Sequence, residues 1–178
     1  METKILNTDQ KDEFFKVYRE IFRGAPFYEE FSDDKLNKLF IQAISSNAFA
    51  PIAVNEDGEI IGFGLCIPIQ EYGNEEGKKM LSQFVNLESN LYVRDVAVLN
   101  NYRKKGLGNN FFSMMIEYAR ENGYKSLSMM TNEVGSMSKG IAVKQGFTET
   151  GLVQEVSSLR VGGSQPEPDR RTFLTLEL

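Results

Sequence analysis

An apolar run, Val96-Ala97-Val98-Leu99, leads through the basic, glycine-spaced turn Arg103-Lys104-Lys105-Gly106-Leu107-Gly108 into a stretch where Leu107, Phe111, Met114, Met115, Tyr118 and Ala119 recur at helical spacing. A strand, a glycine turn and a helix in that succession constrain the chain more than any other feature of it. A helix start presents about four backbone N–H groups without intrahelical partners, together with the positive end of the helix dipole. Glycines let that backbone approach a bulky anion with no Cβ in the way. The turn therefore reads as a phosphate cradle. Lys104 and Lys105 add point charges, each worth only about 0.3–1 kcal/mol when exposed, so backbone donors do most of the positioning.

The flanking sequence supplies a mixed sheet. A strand at Lys4 to Leu6 precedes a helix carrying Phe14, Val17, Tyr18, Ile21 and Phe22, capped by Thr8 or Asp9 and stopped by Gly24. Pro26 punctuates the gap before a second amphipathic stripe, Leu36, Leu39, Phe40, Ala43 and Ile44, entered through Ser32, Asp33 and Asp34. Phe49 to Val54 and Ile60 to Ile69 read as antiparallel strands joined at Asn55-Glu56-Asp57-Gly58. Glu71 to Asn90 reads as an insertion over the sheet, with a short helix around Met80, Leu81, Phe84 and Val85. Leu91 to Val98 is the fourth strand, and Gly123 ends the long helix that follows the glycine turn. Ser126 to Thr131 is a fifth strand, Ser136 to Lys144 a short helix, Thr148 to Val156 a further strand and Thr172 to Leu176 the last. Ser157 to Arg171, rich in Gly, Pro and charge, reads as a loop. Local hairpins around one crossover unit exclude an all-parallel sheet.

Composition narrows the chemistry. At 178 residues the chain is sized for one domain, spanning 1–178, with no disulfide or structural metal needed. It has no histidine, which removes Ser-His-Asp triads, Cys-His dyads and His-based metal sites, and no metal is expected. Cys66, the single cysteine, lies in an apolar run and reads as a small buried hydrophobe. A net charge of -5 disfavours a nucleic-acid partner, and no apolar stretch reaches the roughly 18 residues of a membrane span. The expectation is a cytoplasmic protein with no membrane partner. The methionine pairs Met114-Met115 and Met129-Met130 read as core packing, and Lys78-Lys79 and Arg170-Arg171 as solvated charge.

Which phosphate compound the cradle takes is narrowed by what is missing. No G-x-x-x-x-G-K-[ST] is present, and G-x-G-x-x-G fails at Phe111, so ATP and NAD lose their usual signatures. Arg103-Lys104-Lys105-Gly106-Leu107-Gly108 instead resembles the [Q/R]-x-x-G-x-[G/A] acetyl-CoA motif of the GCN5-related N-acetyltransferase family. It is preceded by the family-like Asp95-Val96-Ala97-Val98 and followed by Val143-Lys144-Gln145-Gly146-Phe147. The resemblance runs from about Phe49 to Leu178 in element order.

That resemblance implies an α/β, single-domain acyl-CoA N-acyltransferase fold: a mixed, mostly antiparallel sheet splayed between its fourth and fifth strands, with helices on both faces. It implies acetyl-CoA as cosubstrate and a small-molecule or peptide amine as acceptor, and it leaves room for a homodimer. Arg103, Lys104, Lys105, Gly106, Leu107, Gly108 and Asn109 fall where the family holds the pyrophosphate. Ala97 and Val98 fall where backbone pairs with the pantetheine amides. The tyrosine that many members use as general acid is replaced by Ala142. The customary asparagine falls at Gly135, with Asn132, Ser136 and Ser138 as substitutes.

Transfer to an amine also needs somewhere for a proton to go. Asp95 and Glu133 are the candidate catalytic carboxylates. Asp95 reads equally as a base, as an anchor for the acceptor ammonium or as a partner for Arg94, and Glu133 also reads as a solvated loop charge. In a regular fourth strand Tyr92 and Arg94 face away from Asp95, and a bulge would change that parity. The insertion at Glu71 to Asn90 and the segment Ser157 to Arg171 are expected to border the acceptor site. A non-catalytic acyl-CoA-binding module and a phosphate-binding interaction domain without CoA preference are the alternatives.

Overall fold

The computed structural model describes residues 1–25, 27–134 and 136–178, so Pro26 and the asparagine-equivalent Gly135 lie outside the described residues. Strands β1 (Glu2–Ile5), β2 (Pro51–Val54), β3 (Ile60–Pro68), β4 (Asn90–Val98), β5 (Ser126–Asn132), β6 (Thr148–Leu159) and β7 (Pro166–Glu177) form one sheet. Its order is β1-β2-β3-β4-β5-β7-β6. Every neighbouring pair is antiparallel except β4 with β5, which are joined by the crossover helix α4 (Leu107–Glu121). This is the mixed sheet expected from the sequence.

Two cores sandwich the sheet. One lies under α1 (Lys11–Arg23), α2 (Asp33–Ala43) and α3 (Glu75–Leu81), with Phe14, Tyr18, Leu36, Phe40, Phe63, Tyr92 and Phe173 at its centre. The other lies under α4 and α5 (Met137–Lys144), built on Phe111, Phe112, Met115, Leu127, Met129 and Ala142. Covered on both faces, β3 is buried along all but its last residue, which is why Ile60 to Ile67 shows no polar alternation. Cys66 is buried there, and burial pushes its thiol above the ordinary range, so it is packing.

Three expectations are corrected, and the parity of β4, left open in the sequence, is decided. The residue that caps the N-terminal helical segment is Asn7, not Thr8 or Asp9: it forms a capping box with Gln10 around a short 3-10 turn. The helix in the insertion runs Glu75–Leu81, started by Asn74 accepting from the Gly77 N–H, and leaves Phe84 exposed beyond it. Residues 157–171 are not one long loop: 157–159 and 166–171 are the outer parts of β6 and β7, paired from Val156↔Asp169 to Leu159↔Pro166, and only 160–165 form the connection at the tip. This part of the hairpin extends past β5, whose pairing with β7 begins only at Asn132↔Arg171, so no core face imposes apolar alternation on it. Finally, Leu65 pairs with Asp95 but Cys66 pairs with Val93, so Arg94 is an extra residue on β4. The bulge puts Tyr92, Asp95 and Ala97 on the α1–α2 face together, whereas a regular strand separates Tyr92 from Asp95.

Candidate active site

The turn after β4 is built to expose amides. Lys104 and Gly106 both take positive φ, 61° and 87°, swinging the chain into α4. The first intrahelical bond runs from Asn110 N–H to Gly106 O, so the amides of Leu107, Gly108 and Asn109 precede the helical ladder. A Cβ on Gly106 would meet nothing within 4 Å, because that direction is open space. Gly108 serves a second purpose: a Cβ there would lie 2.9 Å from Ile141 Cδ1, and its absence lets α5 close on α4.

From this cradle a cavity of about 450 Å³ runs into the sheet. β4 and β5 pair from Asn90↔Ser126 to Val93↔Met129 and then part, and Val96, Ala97 and Val98 line one wall of the gap. Leu99 N–H donates to Ile61 O, so the backbone groups of Leu99 and, two residues earlier, Ala97 face β3. Those of Val96 and Val98 face the gap, which moves the expected strand-like pairing from Ala97 onto Val96. The Arg103 Nε already donates to Val98 O at 3.0 Å, tying the turn to the end of the strand. Ile21 and Phe27 also line the cavity, so it passes through the splay to the α1 side.

On the α4–α5 side the wall is made of hydroxyls and amides. Thr131, Ser136 and Ser138 form a closed triangle, with Oγ1···Oγ 2.6 Å and 3.0 Å from Thr131 and Oγ···Oγ 2.8 Å between the serines. Ser136 and Ser138 line the cavity; Asn132 lines it too, from the opposite face that it shares with Met130, and its Oδ1 is buried without a hydrogen-bond partner among the described residues. Ser136 also accepts from the Lys139 N–H and so caps α5. Ala142, at the position of the family tyrosine, is fully buried in the second core, so no side chain there reaches the cavity.

On the α1–α2 side a charged network lies behind the Ile21 and Phe27 lining. The Tyr18 hydroxyl donates to Asp95 Oδ2 at 3.5 Å, and Arg94 Nε lies 3.7 Å from the same oxygen while its Nη1 donates to Gln42 at 2.6 Å. Tyr18 stands one helical turn before the cavity residue Ile21. Beyond it, Glu29 meets Arg171 at 2.9 Å, and Arg171 meets Asp169 at 2.6 Å. Glu29, Asp169 and Arg171 are only 13–17% exposed, so the expectation of solvated charge at Arg170-Arg171 holds for Arg170 alone. Burial pushes the Asp95 carboxyl above its ordinary value; Arg94 pulls it back, and nearby Glu29 pushes it further up. Burial likewise holds the Tyr18 phenol well above its usual range, keeping it a neutral donor.

The segment carrying Glu29 is laced to the β6–β7 hairpin. Glu30 N–H donates to Leu159 O and Val161 N–H to Tyr28 O, and Arg160 donates to Phe27 O at 2.6 Å. The 157–171 segment therefore borders the Phe27 end of the cavity. The insertion lies against the same face farther along, where Tyr72 stacks on Tyr92 at 3.9 Å.

Not every expected residue converges. Arg103, Lys104, Gly106, Leu107, Gly108, Asn109, Asn132 and Ser138 line the cavity with Ala97 and Val98. Lys105 does not; its ammonium sits over the Tyr102 ring, 5.1 Å from the centroid. Glu133 is held 2.8 Å from Arg170 Nε and is outside the lining, while Asp95 stands behind it at the α1 end. Tyr18, Glu29, Thr131, Asp169 and Gln42 were not among the candidate site residues of the sequence reading. No local pattern marks them: Tyr18, Glu29, Gln42 and Asp169 join the site from distant segments, and Thr131 reads as one more strand residue.

Comparison with known proteins agrees with this geometry. The chain is 28% identical over 141 residues to the uncharacterized N-acetyltransferase YhfO of Bacillus subtilis, covering 78% of this chain and 83% of that one. It is 26% identical over 125 residues to an uncharacterized N-acetyltransferase of Archaeoglobus fulgidus, covering 70% and 78%. The fold superposes on a Drosophila melanogaster polyamine N-acetyltransferase with a TM-score of 0.76 at 14% identity, covering 99% of each chain. It also superposes on a phosphinothricin acetyltransferase of Sinorhizobium meliloti, solved with acetyl-CoA, at 0.73 and 16%, covering 99% and 88%. The profile of the acetyltransferase (GNAT) family matches residues 11–147. The chain belongs to the acetyltransferase (GNAT) family.

Proposed function

We propose that this protein is an N-acetyltransferase that moves an acetyl group from acetyl-CoA to a primary amine by direct attack, with no covalent enzyme intermediate. The observation that carries the reading is the slot itself. A cavity leads from an amide cradle through the parted strands to Ile21 and Phe27 on the opposite face, with the buried Asp95 carboxylate behind that lining. The residues present fit acetyl-CoA: open space at Gly106, unladdered amides at Leu107 to Asn109, strand groups of Val96 and Val98 turned into the gap, and an acceptor on Asn132 that has no partner among the described residues.

When bound, acetyl-CoA supplies a thioester whose carbonyl an amine can attack. The chain's own residues do the rest. Amides at the α4 start hold pyrophosphate, with Arg103 and Lys104 adding charge. Val96 and Val98 present a strand edge for the pantetheine arm, and Asn132 accepts from it. Asp95 takes the proton that the amine must lose; its raised pKa makes it a better base near neutrality than an ordinary carboxylate. Tyr18 and Arg94 orient it. Glu133, paired with Arg170, holds the β5–α5 connection in place. The lone, buried cysteine accords with a cytoplasmic setting.

The test has two steps. Acetyl-CoA should raise the melting temperature; at 100 times its dissociation constant it adds about 2.7 kcal/mol of stability, and ATP at equal concentration should add far less. Thiol release should then be followed across primary amines that include polyamines, amino acids and peptide N-termini. Release with at least one amine is expected. No shift with millimolar acetyl-CoA contradicts the reading, and a shift with no thiol release from any amine returns a binding module.

A further inference from the structure

We propose that the Thr131–Ser136–Ser138 hydroxyl triangle, with Ser138 as its contacting member, donates the hydrogen bond that stabilises the departing CoA sulfur. The inference rests on the N-acetyltransferase reading and names the group that does the work the Ala142 position cannot do.

Three observations carry it. First, Ala142 is wholly buried in the α4–α5 core, so the usual tyrosine has no counterpart from that position. Second, the triangle sits where the sulfur must be. Thr131 lies two residues past the last β4–β5 pair, Val93↔Met129, and alternation places it on the same face as the core residues Leu127 and Met129. An arm that enters along Val98 and Val96 ends at the apex of that gap. Third, the triangle and Asp95 are on opposite faces of the sheet, Asp95 pointing to Tyr18 of α1 and the serines lying at the start of α5. The nitrogen approaches from one side and the sulfur faces the other. As the C–N bond forms and the C–S bond breaks, the nitrogen's proton passes to Asp95 and the electron pair stays on sulfur.

The triangle suits a nascent anion. Three hydroxyls within 2.6–3.0 Å of one another hold three protons, and Ser136 already accepts from the Lys139 amide. Rotating one O–H outward toward an anion keeps the other two contacts, and neighbouring hydroxyls polarise the outward one. The α5 start adds the positive end of its dipole, which favours thiolate over thiol. Ser138 rather than Ser136 is the contact, because the Ser136 oxygen is committed to capping the helix.

The experiment needs no acceptor. Free CoA is bound to the protein and its thiol titrated by thiolate ultraviolet absorbance, with the desulfo-CoA complex subtracted to cancel the tyrosines. Cys66 is silent, because burial pushes its thiol above the titrated range. In the wild type the bound thiol should titrate about one pH unit below free CoA, a tenfold shift toward thiolate. Ser138→Ala should return most of that shift while leaving CoA affinity within about twofold, and Ser138→Thr should keep it. If Ser138→Ala does not fold, Thr131→Val, which removes another hydroxyl of the triangle, carries the same expectation. An unchanged bound-thiol pKa in a folded Ser138→Ala or Thr131→Val protein overturns the inference alone. Failure of the wild type to bind CoA overturns it together with the reading on which it rests.

Discussion

On the α4–α5 side the splay is lined by backbone amides and hydroxyls; on the α1–α2 side Asp95, Arg94, Glu29, Arg171 and Asp169, largely withdrawn from water, form a charged network behind the lining. The first wall costs little to build, because amides at a helix start need partners anyway and hydroxyls satisfy one another. The second carries a desolvation penalty that ion pairing only partly offsets, and apolar residues of the same volume would often be as stable. Cheap groups thus serve a cofactor end whose ligand brings its own charge. Costly ones stand at the end where a proton must be moved and an amine selected.

Breaking the charged side at its centre should have the largest effect. Asp95→Asn should lower turnover by about 10²- to 10⁴-fold while the melting shift with acetyl-CoA persists. The pH profile sharpens this. Because the folded pKa of Asp95 lies above the ordinary carboxylate value of about 3.9, wild-type kcat/KM should fall with decreasing pH through a limb above that value, and the variant should lose the limb. Stability should move the other way. A carboxyl whose folded pKa exceeds its unfolded one contributes stability below the unfolded pKa that is lost as pH rises through the folded pKa. Asp95→Asn should therefore melt higher than wild type at neutral pH, and the gain should shrink as the pH falls.

Arg171→Ala should come next. It leaves Glu29 and Asp169 without their closest cation, and a cost of about 3 kcal/mol is expected in denaturant unfolding. A loss under about 0.5 kcal/mol would mean that the pair is as weak as surface ion pairs are.

On the cradle side, Gly106→Val should remove most of the roughly 2.7 kcal/mol that saturating acetyl-CoA supplies. It also forces a β-branched residue to a φ of 87°, which itself costs about 1–2 kcal/mol. The smallest effect belongs to Lys105→Ala. Its ammonium rests on Tyr102 and lies outside the cavity, so acetyl-CoA affinity should change by less than about threefold at physiological salt. A larger loss there than at Gly106 would show that point charge, not backbone, holds the pyrophosphate.

The same division decided what could be read from the sequence. The cradle was legible because it is contiguous: a strand, two glycines and a helical stripe between Val96 and Ala119 state their geometry locally. So does the β2–β3 turn, where Asn55 Oδ1 accepts from the Asp57 and Glu59 amides and Gly58 takes a φ of 84°. Of the charged network only Asp95 and its neighbour Arg94 were legible, since Tyr18, Glu29, Asp169 and Arg171 come from α1, the following connection and β7 and join them only in three dimensions. The bulge at Arg94 has no glycine to announce it, yet it alone turns Asp95 to the face where Tyr18 waits. The outer β6–β7 hairpin failed as a prediction for a related reason: Pro166 and Pro168 stand in a ribbon that no helix covers, so neither periodicity nor propensity marked it as strand.

The central claim is that one slot has a cofactor side and a separate acceptor side. Amide hydrogen exchange with and without acetyl-CoA tests it most directly, because it needs no acceptor. Protection is expected at Val96 and Val98, across Arg103 to Asn110 and at the start of α5, with exchange unchanged in Tyr28 to Phe31 and Arg160 to Val161. Protection of the Tyr28–Phe31 connection, or none at Leu107 to Asn109, would contradict the account.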